Sequence, residues 1–264
     1  MALASPTRLV LPQVTLLAVT SVNVEATTAA LEASMAQIAF GAAKLLSDRT
    51  PRALPSGVEW VPIAPLTSAR AYSEFVLQHL ADHVDTSHCL LSQWDGHVID
   101  AGQWWPEFLE YDFIGARWPH FADGHDVGNG GFSLRSRALL NACRDPVFRS
   151  SHPEDLAIGR HNRDWLEAQG LRFAPGALAD HFSAERTGNP FASFGYHGVW
   201  QMPRVLGRER FWEIYRQLDE LTSVRHDFRS LLWQLAGGKG GTRRAFEFTC
   251  DWIRYSFRNQ DEML

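Results

Sequence analysis

The chain has 264 residues, 45% hydrophobic and 21% charged, enough to bury a sizeable core as one large domain or as one domain with an appendage. A formal net charge of −5 argues against general nucleic-acid binding, which relies on a basic surface to neutralise phosphates. Cys89, Cys143 and Cys250 are odd in number and far apart, so they suggest neither a disulfide framework nor a zinc motif and fit a reducing cytoplasm.

At the start, Met1 to Val10 lacks a basic flank followed by a continuous apolar stretch, and no later segment stays apolar long enough to span a bilayer. A soluble chain is expected. Val14 to Thr20 is apolar and β-branched without alternation, as in a central strand covered on both faces. Asn23 to Gln37 is Ala-rich with an early acid and predicts a helix, and Ala43 to Ser47 predicts a short second strand. Glu59 to Ile63 predicts a third, placed at a sheet edge by Pro62. A helix over Ser68 to Ala81 and a strand over Ser87 to Gln93 follow. This alternation predicts an α/β fold, a mostly parallel, Rossmann-like central sheet flanked by helices.

Beyond Asp95-Gly96 the pattern loosens. Phe113 to Ala116 and Gly131 to Leu134 read as short strands, Arg137 to Ala142 and Glu154 to Gln169 as helices, and Leu171 to Ala174 as a strand ended by Pro175. Arg208 to Leu221 and Val224 to Leu235 are amphipathic. A Gly237 to Gly241 connector then leads to a last aromatic helix; its glycines and lysine do not have phosphate-loop spacing. The basic runs Arg204 to Arg210 and Arg243-Arg244 would suit phosphate or peripheral contact with an anionic membrane, although short runs of this kind are ordinarily solvated helix faces. The predicted division is an α/β domain over 1–202 and a C-terminal helical extension over 203–264.

Two features suggest chemistry. Gly128 to Ser136, Gly-Asn-Gly-Gly-Phe-Ser-Leu-Arg-Ser, is a turn whose backbone can approach a ligand closely, and His152-Pro153-Glu154-Asp155 then supplies two acids at a helix start. Upstream, Gln93-Trp94-Asp95-Gly96 puts an acid at the carboxyl end of a strand, where open α/β sheets bind ligands. Thr20, Ser21 and Asn23 after the first strand and Ser47 after the second occupy equivalent ends, where turn and capping chemistry would equally explain them. Arg135 offers planar, bidentate contacts to a diphosphate. Trp104, Trp118 and Phe132 offer aromatic faces to an acceptor, or simply pack under a long loop.

Together with Phe108 to Ala116, Val127 to Arg137, Arg172 to Pro175 and Phe194 to Gly198, these motifs resemble a bacterial family of functionally unnamed domains in the GT-A glycosyltransferase superfamily, over roughly Val14 to Trp200. The resemblance implies a GT-A-like fold and transfer of a sugar from a nucleotide-diphosphate donor to a hydroxyl on a glycan, lipid-linked or small-molecule acceptor. It implies that Asp95 inherits the last acid of an Asp-x-Asp motif, whose first place is held here by Gln93, and that Asp95 and His197 hold a divalent Mn²⁺ or Mg²⁺. It also implies that Gly130-Gly131 shapes the donor-sugar pocket, that Asp155 is the general base of an inverting transfer and that Glu154 is a sugar or acceptor ligand. Two other readings fit the same residues. In one, Asp95, Glu154 and Asp155 form a carboxylate metal cluster of a phosphoester or nucleotidyl-transfer enzyme; in the other, the incomplete acid motif marks a non-catalytic sugar-nucleotide-binding module.

Overall fold

The computed structural model describes residues 8–261; Met1 to Thr7, most of the N-terminal run read above for a leader, lie outside the described residues. The longest strand, β1 (Leu9–Thr20), runs beside β2 (Ile38–Ser47) and β4 (His88–Ser92), parallel to both, and β3 (Glu59–Pro62) lies parallel at the edge of β2. The unbroken apolar run of β1 is explained by burial on both faces. Val14, Leu16 and Ala18 enter one core cluster while Leu17 and Val19 enter another, as the period-two side-chain alternation of a strand requires.

The main sheet is completed by β6 (Phe113–Ile114) and β7 (Phe132–Ser136), giving the order β3-β2-β1-β4-β7-β6. Because β7 runs antiparallel to both β4 and β6, the sheet is mixed but mainly parallel, with helices covering it. A second, three-stranded sheet places β9 (Gly195–Tyr196) between β5 (His97–Val98) and β8 (Ser183–Ala184).

Helix α1 (Val24–Gln37) leaves β1 through Asn23, whose φ of 52° turns the backbone left-handed, and passes directly into β2. β2 starts earlier than the predicted Ala43 because Ile38 to Phe40 pair with Leu9 to Leu11, a part of β1 that sequence pattern missed. Ser68 caps α2 (Ala69–Gln78) by accepting a 3.1 Å hydrogen bond from the Ala71 amide. After β7 come α3 (Arg137–Ala142) and α4 (Glu154–Leu156).

The predicted helix Glu154 to Gln169 is not continuous. Past α4 it widens into a π turn at Ala157–His161 before α5 (Arg163–Ala168), and the amide of the Asn162 side chain donates to the Ala157 carbonyl at 2.9 Å, competing with the regular ladder. The predicted strand at Leu171 to Ala174 is also corrected: its pairing is one parallel bridge, Phe113 to Phe173, before Pro175 starts α6 (Gly176–Phe182).

The chain divides into a unit ending at His197 and a second beginning at Gly198. The second contains α7 (Met202–Val205), α8 (Arg208–Tyr215), α9 (Thr222–His226), α10 (Phe228–Leu235) and α11 (Gly241–Asp261). The two predicted amphipathic helices are therefore shorter, α8 ending at Tyr215 and the next dividing at Asp227. Phe248 of α11 packs against the rings of Tyr215 and Phe228, each at a centroid distance of 5.1 Å. Among the described residues no helix is long and apolar enough to cross a membrane.

Candidate functional site

Strand β1 continues toward β2 on one side while its other neighbour, β4, continues toward β7, so the direction of the sheet order reverses between β1 and β4. Such a reversal opens a crevice at the carboxyl ends of the strands. The Gln93-Trp94-Asp95-Gly96 segment leaves β4 there, tied to the glycine turn by a 2.8 Å bond from the Gln93 amide to the Gly131 carbonyl. Asp95 is buried. The small sheet delivers His197 to the same place, its amide bonded to the Ala184 carbonyl at 3.0 Å.

The His197 ring joins three groups. Nε2 lies 3.4 Å from Asp95 Oδ1 and 3.2 Å from Gln93 Oε1, and Nδ1 lies 3.5 Å from Glu185 Oε1. The two carboxylate contacts are ion pairs without hydrogen-bond geometry, leaving Asp95 Oδ1 and His197 Nδ1 buried without a hydrogen-bond partner. Burial alone would favour the neutral imidazole, but Asp95 and Glu185 outweigh it and hold the His197 pKa well above its ordinary value. Asp95 Oδ1 and Gln93 Oε1 offer hard oxygen donors of the type Mg²⁺ or Mn²⁺ accepts, and His197 Nε2, 3.4 Å and 3.2 Å from them, can join as a nitrogen donor once the cation displaces its proton.

The glycine turn packs between these groups and the later acids. A Cβ on Gly131 would lie 2.0 Å from His197 Nε2, and one on Gly130 would lie 2.6 Å from Glu154 Oε1 and 2.8 Å from Arg135 Nη2. Glycine is required at both places by protein side chains, whatever ligand binds. Arg135, fully buried on β7, donates from Nε to Ser133 Oγ at 3.0 Å and from Nη2 to both the Gly130 carbonyl and Glu154 Oε1 at 3.3 Å. It pairs with Glu154. On the other side of that carboxylate, Ser73 Oγ lies 3.4 Å from Oε2 and accepts the Glu154 amide at 3.2 Å.

Burial, followed by the Glu154 charge, raises the Asp155 carboxyl to about 6. Its Oδ1 accepts the Leu156 amide at 2.8 Å, and Glu185 adds to the upward push. Tyr72, accepting Gln93 Nε2 at 2.9 Å, has its phenol pKa raised by burial and then by Glu154.

Seven of the expected residues thus come together: Asp95, Gly130, Gly131, Arg135, Glu154, Asp155 and His197. At the strand ends, Thr20 donates a short bond to the Val22 carbonyl, Ser21 accepts the Leu66 amide at 2.8 Å, and Ser47 donates to the Arg49 carbonyl at 2.8 Å. Asn23 is buried at the start of α1. Trp104 packs edge-on against Phe108 and Phe194, Trp118 lies against Gly128 and Gly159, and Phe132 is enclosed in the core beside Phe182. Sequence reasoning missed Tyr72, Ser73 and Glu185. Ser73 carried a signal, being a polar residue on the buried stripe of α2 with Val76 and Leu77. Glu185 carried none, because only the pairing of β8 with β9 brings it to His197. A separate trio, His125, Asp164 and Glu167, has one potential ligand atom each within 4.8 Å, but Asp164 is 93% exposed and Glu167 pairs with Arg163 at 2.6 Å.

The family described as "Protein of unknown function (DUF5672)" matches residues 56–197. No curated protein matches the chain. Among solved structures, a glycosyltransferase involved in the glycosylation of the major capsid of PBCV-1 shares 10% identity at a TM-score of 0.43, over 77% of this chain and 98% of its own. A197 from STIV shares 14% at 0.35, over 62% and 82%. The apo-form glycosyltransferase GlyE of Streptococcus pneumoniae TIGR4 shares 12% at 0.38, over 76% and 51%. Likenesses this distant say nothing about activity.

Proposed function

This chain belongs to the DUF5672 family of proteins of unknown function, and from the side chains gathered at its sheet crevice we propose that it is a glycosyltransferase that moves a sugar from a nucleotide-diphosphate donor to a hydroxyl acceptor. The observation that carries the reading is Asp155: a carboxyl raised to about 6, beside a glycine turn and next to an acid paired with a buried arginine. Such a group is ionised at neutral pH yet basic enough to take a proton. As the acceptor oxygen attacks the anomeric carbon, its proton passes to Asp155. The bond from that carbon to the diphosphate breaks, and the electron pair leaves with the diphosphate, which gives inversion.

Asp95 and His197, with Gln93 Oε1 beside them, would hold Mg²⁺ or Mn²⁺, and the cation would neutralise charge on the departing diphosphate. Arg135 fixes Glu154 in position through its 3.3 Å contact, so Glu154 can accept hydrogen bonds from sugar hydroxyls while Asp155 takes the proton. The commitment of Glu154 to Arg135 argues against a three-carboxylate metal cluster for phosphoester or nucleotidyl transfer. The free cysteines Cys89, Cys143 and Cys250 support a reducing, cytoplasmic setting. The test is nucleotide release from a panel of nucleotide sugars, with and without Mn²⁺: donor turnover by wild type and its loss in Asp155→Asn are expected, and turnover of no donor refutes the proposal.

A further inference from the structure

Beside the crevice, an open groove of about 430 Å³ runs between α2 and the segment before α4. We propose that this groove is the acceptor subsite and that it takes a neutral, polyhydroxylated acceptor, the end of a glycan. The assignment rests on the glycosyltransferase reading and specifies its second substrate. The volume lies within the range of small-molecule clefts. Its walls carry Arg70, Ser73, Glu74, Gln78, Ser151 and His152, with hydroxyl, amide, carboxylate, guanidinium and imidazole groups and no aliphatic strip for a lipid chain.

The charge balance selects the ligand class. A phosphate site accumulates cations, whereas here Arg70 and Glu74, four residues apart and so on one face of α2, offset each other. Sugar hydroxyls both donate and accept, so a wall offering a donor cation next to an acceptor anion matches them. Among the described residues neither the Arg70 nor the Glu74 side chain makes a hydrogen bond or ion pair, so both are available to a ligand.

The floor connects the groove to the chemistry. Ser73 is 2% exposed, and its hydroxyl meets His152 Nδ1 at 2.8 Å and the Glu154 amide at 3.2 Å. Glu154 directs Oε2 toward this serine and Oε1 toward Arg135 and the glycine turn. A glycan end resting on Ser73 is therefore separated by one carboxylate from the glycine turn and by one residue from Asp155.

The test uses the full-length protein on a printed glycan array without donor, comparing wild type with the double variant Arg70→Ala/Glu74→Ala. Two charge-assisted hydrogen bonds lost should weaken glycan binding at least about 10-fold. The thermal shift produced by nucleotide sugars with Mn²⁺ should stay unchanged, since neither residue touches the sheet crevice. Wild type that binds no printed glycan, or a double variant that binds as wild type does, overturns the groove assignment. Glycan binding that depends on Arg70 and Glu74 in a protein that turns over no nucleotide sugar keeps the groove and refutes the transferase reading alone.

Discussion

At the scale of single residues, Asp155 makes opposite demands on stability and activity. Its carboxyl rises from 3.8 to about 6 on folding, so the folded state holds the proton more tightly than the unfolded state does. Stability from this group is therefore fully present below the unfolded value and is lost as pH rises through the folded one, leaving a cost at neutral pH. Asp155→Asn removes that cost and keeps an oxygen for the Leu156 amide. Its melting temperature should exceed that of wild type by a few degrees at pH 7 and match it near pH 4, as scanning calorimetry at both values can check. Transfer should fall at least about 10²-fold, and wild-type transfer should decline as pH drops below about 6, because the base is then protonated. A variant that melts lower at pH 7 would contradict the electrostatic account. Gly131 illustrates a second residue-level constraint. A Cβ 2.0 Å from His197 Nε2 must push the ring away from Asp95 and Gln93, so Gly131→Ala should lose the Mn²⁺-dependent donor thermal shift while its far-ultraviolet circular dichroism remains that of wild type. A full shift in this variant would remove His197 from the site.

At the scale of elements, what the sequence revealed depended on how local the cause was. The parallel strands were legible because burial on both faces produces long apolar runs, as in Val14 to Thr20. The short pieces were not: β5, β8 and β9 have two residues each and exist through their mutual pairing, which no local pattern records. Asp95, Glu154 and Asp155 were legible as acids at element ends, whereas Glu185 became visible only once β8 had placed it. Arg135 was legible as a cation, but its burial on β7 and its pairing with α4 were not. That pair couples a strand to a helix start, and its two halves are unequal in consequence. Arg135→Met strands a buried Glu154 carboxylate and should cost about 3–5 kcal/mol in urea unfolding, while adding Glu154→Gln should recover a substantial part of the loss. Additive losses in the double variant would show that the two residues contribute independently.

At the scale of the molecule, the net charge of −5 says little about the crevice, where the balance is sharper. Asp95, Glu154, Asp155 and Glu185 are set against Arg135 and His197 among the groups in contact there. A diphosphate entering this surplus of carboxylates brings further negative charge into a poorly solvated place, where like charges repel strongly. Donor binding should therefore depend on a cation that enters with it at Asp95. A ligand that binds only the native state stabilises it by about 2.7 kcal/mol at a hundredfold excess over its Kd, an easily measured thermal shift. Nucleotide sugar alone should produce little shift, nucleotide sugar with Mn²⁺ a full one, and excess chelator should abolish it; Asp95→Ala should behave as wild type does in chelator. If the shift survives chelation in wild type, the imidazolium of His197 is sufficient to receive the diphosphate, and Asp95 serves to keep that ring charged rather than to hold a metal.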